Sequence, residues 1–457
     1  MTKSPRGNGA TDTRGNQLTA YIAGTAGRNL PPEVVDAARK ALLDYAGCVI
    51  GAVRENVSVA TRKTAEAWGG AGNAQIFVGG TTAPALAALV NGAMAHAMDY
   101  DDSHPAGSGH PSGPCWSTAL AMAGHHGLDE MQALSAFITG FEVMARLGGG
   151  GPPGVGRSLQ RRGLHPTSIF GRVGAAATAS AMLGHDEQQI AYALGVAATT
   201  AGGLLGSFGT DSKPFHAGKA AMDGILAAQL AGNGFVAATQ LYELEGGLLD
   251  AFIQDREVEV PPLDFDEKWE ILGNGFKPYA CCRGTQPSTQ TARKLADRVV
   301  GKEITKVRAR VHPNAVVAAG KLDPKTPLEG KFSVPFCIAL GLRGYRAVYT
   351  DFTEATLQDT AVMELVPRVE LEVVQDQAPC AAYLDVHLAD GEVLHEQTDI
   401  VLGHPDNPMG WDDLRDKFEG LTQPVLGAEK TQALYECIRA FDTPGSLDTL
   451  TGLVRAP

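Results

Sequence analysis

Imidazole and carboxylate side chains are concentrated in positions 91–114, which read NGAMAHAMDYDDSHPAGSGHPSGP. An alanine-rich amphipathic run carries His96 and Asp99, breaks near Ser103 and leads into a glycine-rich loop that ends at His110. If a helix continues to the aspartates, His96, Asp99 and Ser103 share one face. Imidazole and carboxylate groups on one face can transfer protons. The alternative interpretation is a solvated helix end whose carboxylates happen to cluster.

Further along the chain, ionisable residues recur directly before proline. Proline disfavours the α conformation in the residue that precedes it, which predicts an extended backbone at the boundary of an element. Loops on a rigid scaffold often hold active-site groups. The ionisable residues in this position include His104, His110, His165, Lys213 and Lys277.

Three of these residues lie in polar segments between predicted helices. The segments are LHPTSIFGR (164–172), SFGTDSKPFHAGK (207–219) and GFKPYACCRGTQ (275–286). Thr167 or Ser168 is expected to cap the following helix and to leave its first N–H groups available to an anion. Lys213 and His216 are three residues apart near a helix start, so both can face one pocket. Lysines that bind carboxylates and histidines that move protons together predict a small polycarboxylate substrate.

A metal site is the main chemical alternative. The possible ligands in positions 99–110 are Asp99, Asp101, Asp102, His104 and His110. Their spacing fits neither an HExxH motif nor an EF-hand loop. We therefore expect no metal, and an activity assay after exhaustive chelation separates the two interpretations.

Nucleotide cofactors are not indicated by the glycine-rich segment 148–156, GGGGPPGVG. It lacks the GK[ST] ending of a phosphate loop and no predicted strand precedes it, so a flexible connector is expected. No Rossmann fingerprint occurs in a strand-turn-helix context either. Cys281 and Cys282 are interpreted as a buried pair, because nothing in the sequence places a base beside them.

Charge and composition exclude several classes of partner. A net charge of −13 argues against nucleic acid, and the most apolar run is too short to span a bilayer. Seven cysteines without an apolar signal segment predict reduced thiols and a cytoplasmic protein. Charged residues make up only 19% of the chain, which suggests that an oligomer covers part of its surface.

Apolar periodicity predicts which elements position these residues. Helices are expected over about 31–53, 56–68, 82–101, 114–126, 128–148, 168–184, 186–205, 215–232 and 284–299. After about residue 300, partial alternation and a hairpin turn at Asp390 and Gly391 predict strands, with one helix over about 327–342. Helical spacing returns near 411–418 and 427–441, so the C-terminal segment is expected to rejoin the helical body.

Six segments resemble the MmgE/PrpD family. They are NGAMAHAMDYDDSH, GHPSG, LHPTSIFGRVGAAATASAMLG, GTDSKPFHAGKAAMDG, LEGGLLDAF and KPYACCRGT. They stand in family order between about 91 and 286, and a weaker likeness extends from about 20 to 450. Several long motifs in one order are specific to the family and much less specific to one member.

The resemblance implies a mainly α protein with a large all-helical domain and a smaller α+β lid domain. Together with the polar composition of the N-terminus, it predicts a disordered tail over 1–17, a helical domain over 18–270 with 405–457, and a lid domain over 271–404. It also implies a homodimer that acts on a small anionic carboxylate without metal or organic cofactor. Neither nucleic acid nor membrane is an expected partner.

The resemblance also implies a set of site residues. The pocket pattern of the decarboxylases in the family matches Asp99, Ser103, His110, His165, Lys213 and Lys277. We expect catalytic roles for His110, His165, Asp99, Lys213 and Lys277, and substrate-binding roles for Ser103, His104, Thr167, Ser168, His216, Tyr279, Cys282 and Gln286. Cys282 and Gln286 stand where some relatives have histidine, which disfavours decarboxylation in particular.

The family includes 2-methylcitrate dehydratase, cis-aconitate decarboxylase and iminodisuccinate epimerase, which share a carbanion-like centre beside a carboxylate. Dehydration is the first expectation, followed by epimerisation and decarboxylation. Lys213 and Lys277 would hold the substrate carboxylates, while His110 or His165 moves a proton and Asp99 orients an imidazole. Ser103 would bond a carboxylate or a leaving hydroxyl. A non-catalytic binding protein on the same fold is the alternative from another functional class.

Overall fold

The computed structural model describes residues 13–149, 154–253, 255, 257–266 and 268–455. Most of the first 250 residues fold into helices joined by short loops, with a two-stranded ribbon of β1 (Ala74–Gln75) and β2 (Thr81–Thr82). The helices are α1 (Arg14–Ala23), α2 (Pro32–Gly51), α3 (Asn56–Trp68), α4 (Pro84–Ala97), α5 (Ser112–His126), α6 (Glu130–Gly148), α7 (Val155–Arg161), α8 (Pro166–Met182), α9 (Glu187–Thr199), α10 (Ser212–Gly232) and α11 (Leu248–Phe252).

Helix α4 runs through the centre of this helical body. It is buried on every side, as expected for a helix that is apolar all round. Helix α10 packs against α4 and α8, and α8 packs against α6. Small residues allow the close approach of α4 and α10, because a Cβ at Gly92 would lie only 2.7 Å from the Cα of Gly218. The helix that precedes Asp99 and the helix that carries Lys213 are therefore in direct contact.

A four-stranded sheet follows the helical body. Its strands are β3 (Ile304–Val311), β4 (Val369–Val373), β5 (Ala382–Leu388) and β6 (Val393–Thr398), in the order β4-β3-β5-β6. β3 pairs with β4 in parallel, while the other two pairings are antiparallel. Burial alternates along β5, as expected for a sheet with one face on a core. The turn between β5 and β6 contains Gly391 at φ 91°, which confirms the predicted hairpin.

Helices cover this sheet and complete the helical body. The helices near the sheet are α12 (Gln286–Leu295), α13 (Pro313–Ala319), α14 (Pro327–Gly330), α15 (Val334–Leu342), α16 (Glu354–Leu357) and α17 (Thr360–Met363). The last three are α18 (Trp411–Leu426), α19 (Ala428–Arg439) and α20 (Ser446–Leu453). α18 and α19 pack against α2, so the C-terminal segment rejoins the helical body as predicted. This combination confirms a mainly α fold with a smaller α+β part.

Two local expectations differ from the structure. The N-terminal tail was expected to reach residue 17, but α1 begins at Arg14 because the Thr13 side chain accepts a hydrogen bond from Asn16 N–H. The rest of the expected tail, residues 1–12, lies outside the described residues, as do residues 150–153 of the expected connector. The single helix expected over 327–342 is interrupted before Ser333, which caps α15 by accepting a bond from Phe336 N–H.

The domain boundaries stay a prediction. Among the described residues, none of the helices is both long enough and apolar enough to cross a membrane.

Candidate active site

Asp99 lies just beyond the end of α4. The expected helix up to residue 101 is wrong, since α4 ends at Ala97 and Asp99 adopts a left-handed backbone with φ 54°. Aspartate is one of the few residues other than glycine that tolerate this conformation. The premise that His96, Asp99 and Ser103 share a helix face therefore fails. A sharp turn brings the carboxylate of Asp99 into the site instead.

Two lysines converge on the carboxylate of Asp99. Lys213 Nζ lies 2.5 Å and Lys277 Nζ 3.2 Å from its Oδ1, and all three side chains are at most 4% exposed. Burial opposes ionisation of Asp99, but the two ammonium groups outweigh it and hold its pKa well below the usual value. Burial also opposes the charge on Lys277, yet Asp99 keeps its pKa raised. The buried group is therefore one carboxylate between two cations.

The backbone of Lys213 differs from the prediction. Lys213 lies in the first turn of α10 instead of in an extended segment, although Pro214 follows it. The first turn of a helix tolerates proline, because the missing N–H has no partner there in any case. His165 does have the expected extended backbone, at φ −98° and ψ 108°.

Four histidines form the other half of the site. The His96 ring centroid lies 4.5 Å from that of His110 and 5.8 Å from that of His165. His165 Nδ1 lies 3.0 Å from Nδ1 of His216. Since His96, His110 and Asp99 each place a polar atom within 4.8 Å of the others, the imidazoles and the lysine-bound carboxylate form one cluster.

Asp101 and a peptide carbonyl fix the orientation of two of these imidazoles. His96 Nδ1 donates to the Asp101 carboxylate at 2.8 Å, and His110 Nδ1 donates to the carbonyl of Asp102 at 2.6 Å. His110 Nδ1 is also 3.3 Å from Asp101 Oδ2. Because a carbonyl only accepts, Nδ1 of His110 carries a proton, so Nε2 is the ring nitrogen that can exchange a proton with a substrate. His96 Nε2 has no hydrogen-bond partner among the described residues.

The local electrostatics keep three of the rings neutral. Burial lowers the pKa of His96 to about 3, which the Asp101 carboxylate only partly opposes. Burial, His96 and Lys213 lower the pKa of His165 well below its usual value. Burial, Arg172 and Lys213 lower the pKa of His216 to about 4. At neutral pH these rings are therefore proton acceptors.

The site is largely buried, with some exposure at two of its histidines. His110 keeps 15% of its side chain exposed and His216 is half-buried, so solvent approaches from their side. The rings of Phe208 and Phe332 lie 5.2 and 5.6 Å from Lys213 Nζ. A separate cavity of about 1130 Å³ lies beside residues that include Asp129, Glu130 and Arg455, and none of the clustered lysines and histidines lines it.

Three of the expected substrate-binding residues border the cluster. Ser103 Oγ is buried and unpartnered in the described part of the chain, while its backbone pairs with Gly275 in both directions. Thr167 Oγ1 accepts a bond from His110 N–H at 3.2 Å, and Ser168 Oγ donates to Gly202 O at 2.5 Å. The capping prediction for these two hydroxyls is wrong, because His165 is the N-cap and no side chain caps α8.

The other expected substrate-binding residues, apart from His216, make bonds that hold the fold. His104 Nε2 lies 3.1 Å from the carbonyl of Glu270 and 3.3 Å from its carboxylate. Gln286 Nε2 donates to the carbonyls of Tyr279 and Cys281, each at 2.8 Å. Burial raises the pKa of Cys282 to about 11, so this thiol stays protonated.

His96 and Asp101 were not among the expected catalytic or substrate-binding residues, although the sequence had drawn attention to His96 beside Asp99 and to Asp101 as a possible metal ligand. Both lie in the segment that carries Asp99, and the concentration of imidazole and carboxylate side chains in that segment was the available signal. His96, Asp99 and His110 could together hold a metal ion. The fit is poor, because the two ammonium groups beside Asp99 place positive charge where the ion would bind.

Two family models and several known proteins match this chain. The MmgE/PrpD N-terminal domain matches residues 16–261 and the MmgE/PrpD C-terminal domain matches residues 279–443. The cis-aconitate decarboxylase of Homo sapiens is 29% identical over 395 residues, which cover 82% of this chain and 80% of the relative. A cis-aconitate decarboxylase-like protein of Aspergillus oryzae is 25% identical, with 96% of each chain covered. The cis-aconitate decarboxylase of Aspergillus terreus is 23% identical, with 100% of this chain and 99% of the relative covered. The chain therefore belongs to the MmgE/PrpD family.

Proposed function

We propose that the protein is a lyase that forms a carbanion-like centre beside a carboxylate of a small di- or tricarboxylate. The observation that carries this proposal is the convergence of Lys213 and Lys277 on one carboxylate beside the four clustered imidazoles. A substrate carboxylate can share the ammonium groups with Asp99. Cations fixed in a buried site stabilise the negative charge that develops in such a reaction.

Decarboxylation of cis-aconitate is the first reaction to test, since the three relatives named above are cis-aconitate decarboxylases or similar to them. The bond between a carbon and its carboxylate would break, and the electron pair would remain on that carbon while carbon dioxide leaves. Lys213 and Lys277 would hold the remaining carboxylates. An imidazolium at His110 would then donate the proton that completes the product, because the surroundings of His165 hold that ring neutral.

Dehydration of a 2-methylcitrate-like hydroxy acid is the second candidate. It is favoured by the buried Nε2 of His96, which has no hydrogen-bond partner in the described part of the chain and can therefore accept an α-proton. The electron pair of the broken C–H bond would form the double bond as hydroxide leaves. Ser103, whose hydroxyl has no partner in the described part of the chain, would bond the leaving group.

The test is proton NMR in D₂O with cis-aconitate, 2-methylcitrate, citrate and iminodisuccinate. We expect loss of carbon dioxide from cis-aconitate or, for the second candidate, loss of water from 2-methylcitrate. Exchange of the α-proton of iminodisuccinate alone would instead indicate an epimerase. If none of the four acids reacts or exchanges, the binding protein is the better interpretation.

Substitutions test the assigned residues. Lys213→Ala and His165→Ala are each expected to lower kcat by about 10²–10³-fold, as the loss of one stabilising donor usually does. Lys302→Ala and His395→Ala are matched controls on the surface, where these side chains pair with Glu392 and Asp385. The assignment is wrong if both site variants keep turnover within a few-fold of the controls.

A further inference from the structure

Three buried lysines bind the turn that carries Asp99. We call residues 98–100 the Asp99 turn. Its three successive carbonyls each accept a bond from a different lysine: Met98 O from Lys331 at 2.8 Å, Asp99 O from Lys277 at 2.8 Å and Tyr100 O from Lys417 at 2.5 Å. The lysines come from three separate parts of the chain. The conformation of the turn therefore depends on segments far away in sequence.

These bonds fix the backbone of Asp99 on both sides. The peptide unit before Asp99 includes Met98 O and the one after it includes Asp99 O. Because peptide units are planar, their relative rotation sets φ and ψ of Asp99. Lys331 holds the first unit and Lys277 holds the second. Aspartate tolerates the left-handed conformation but does not prefer it, so its surroundings decide whether it adopts that conformation.

Lys331 differs from the other two lysines. Lys277 pairs with Asp99, and Lys417 Nζ lies 2.6 Å from Asp44 Oδ1. Among the residues that the structure describes, no carboxylate forms an ion pair with Lys331. Its ammonium group lies over the rings of Tyr349 and Phe352, at 5.4 and 5.8 Å, although the residue is only 4% exposed. A buried cation without an ion-pair partner is costly, so a structural role in stability alone explains it poorly.

The segment around Lys331 also lies close to Lys213. The carbonyl of Lys331 accepts a bond from Cys282 N–H at 2.9 Å. The next residue, Phe332, places its ring 5.6 Å from Lys213 Nζ. A displacement of Lys331 would therefore affect Asp99 and Lys213 together.

We propose that Lys331 is a positioning residue: its bond to Met98 O holds Asp99 in the left-handed conformation that brings its carboxylate between Lys213 and Lys277. The expected effect of Lys331 on kcat rests on the proposed function. Its expected effect on the backbone conformation of Asp99 does not. Lys331 touches the turn and acts on the reaction only through Asp99.

Lys331 also predicts a pH dependence. Burial lowers its pKa to about 8. The charged or titratable groups around it are Glu55, Asp99, Cys281, Lys277 and the phenol of Tyr349, which donates to Glu55. Since the ammonium form is the stronger donor to a carbonyl, the bond weakens as pH rises through about 8. Activity should then decline over that range.

The test is Lys331→Met, which keeps an unbranched side chain that is one atom shorter and removes its charge. We expect kcat to fall at least ten-fold with KM within a few-fold of the wild type, and the decline of kcat near pH 8 to disappear. Lys325→Met is the matched control, because Lys325 is on the same segment and 71% of its side chain is exposed. A kcat within two-fold of that control overturns the inference, as does a loss that merely follows a lower fraction of folded protein.

A crystal structure of Lys331→Met gives a readout that does not depend on activity. We expect Asp99 to leave the left-handed region and its carboxylate to lose the 2.5 Å contact with Lys213. Retention of both overturns the inference. If the wild type turns over none of the four acids, the proposed function fails, and the conformation of Asp99 in this structure still decides the role of Lys331.

Discussion

Asp101 is the carboxylate that contacts two of the four imidazoles of the site, although sequence reasoning gave that task to Asp99. Its oxygens lie 2.8 Å from His96 Nδ1 and 3.3 Å from His110 Nδ1. The carboxylate of Asp99 pairs with Lys213 and Lys277 instead. A carboxylate that accepts from Nδ1 keeps the proton there and leaves Nε2 free for chemistry.

Asp101→Asn tests this division of roles. An amide can present its NH₂ group to Nδ1, which disfavours the tautomer with a free Nε2. We expect kcat to fall about 10²-fold with KM nearly unchanged, since general acid–base catalysis contributes at least this much. Steady-state kinetics on the substrate identified by NMR gives both constants.

Asp385→Asn is the matched control for this substitution. Asp385 contacts His395 Nδ1 at 2.7 Å in a similar pair, but His395 is 72% exposed and lies on the sheet. Its kcat should equal that of the wild type. Equal kcat values for the two variants would show that Asp101 does not orient a reacting imidazole.

The crossing of α4 and α10 sets the distance between the Asp99 turn and Lys213. At this crossing a Cβ on Gly218 would lie 2.1 Å from Leu89 O and 2.7 Å from Ala93 N. Both neighbours are backbone atoms of α4, so neither can rotate away as a flexible side chain could. A larger residue must therefore separate the two helices.

Gly218→Ala is expected to destabilise the fold by about 3 kcal/mol, near the upper end for overpacking in a core. It should also lower kcat, because α10 moves Lys213 away from Asp99. The apparent midpoint of thermal unfolding and kcat per folded molecule are the two measurements.

Gly420→Ala provides the control in another helix, α18. A Cβ at Gly420 meets no atom within 4 Å, and alanine favours a helix interior by about 0.5–1 kcal/mol over glycine. This variant should be as stable as the wild type or more stable. A Gly218→Ala protein with a wild-type midpoint would contradict the close packing of α4 on α10.

Apolar periodicity was sufficient to predict most helices, but it did not predict where the helix before Asp99 ends. α3 lies over the expected 56–68, whereas α4 ends at Ala97, four residues earlier than expected. Periodicity indicates which side of a helix is buried. It gives no information about the hydrogen bonds that Lys331 and Lys277 make to the Asp99 turn. Helix ends that depend on distant side chains are not visible in a local pattern.

A local pattern also does not predict which distant residues meet in the site. Position before proline drew attention to Lys213 and Lys277, which reach Asp99 across 114 and 178 residues. The same rule selected His104, whose contacts to Glu270 hold the fold. Local sequence signals a stiff loop, but only the packing of the two parts of the molecule decides which loops meet. The homodimer expected from the resemblance stays a prediction.

Burial of several histidines in one site makes the stability of the whole molecule depend on pH. His96, His165 and His216 have pKa values lowered from 6.5 by burial, to about 3 for His96 and about 4 for His216. Below pH 6.5 the unfolded chain binds more protons at these residues than the folded chain does. Their contribution to the free energy of unfolding is therefore present above pH 6.5 and is lost as pH falls toward 3–4. Asp102 acts in the opposite sense, because burial, Asp44 and Asp101 raise its pKa to about 7.

His216→Gln isolates the contribution of one histidine to this pH dependence. Asp102 is present in both the variant and the wild type, so its effect cancels when their free energies of unfolding are subtracted. His216 is half-buried, so solvent screens part of the effect. Between pH 6.5 and 4.5 we expect the free energy of unfolding to fall by about 1 kcal/mol less in the variant than in the wild type. Urea unfolding at several pH values measures this difference. His395→Gln, which replaces an exposed histidine, should follow the wild type throughout. Parallel pH profiles for His216→Gln and the wild type would mean that the imidazole of His216 is as easily protonated in the folded protein as in the unfolded chain, and that the site does not hold it neutral.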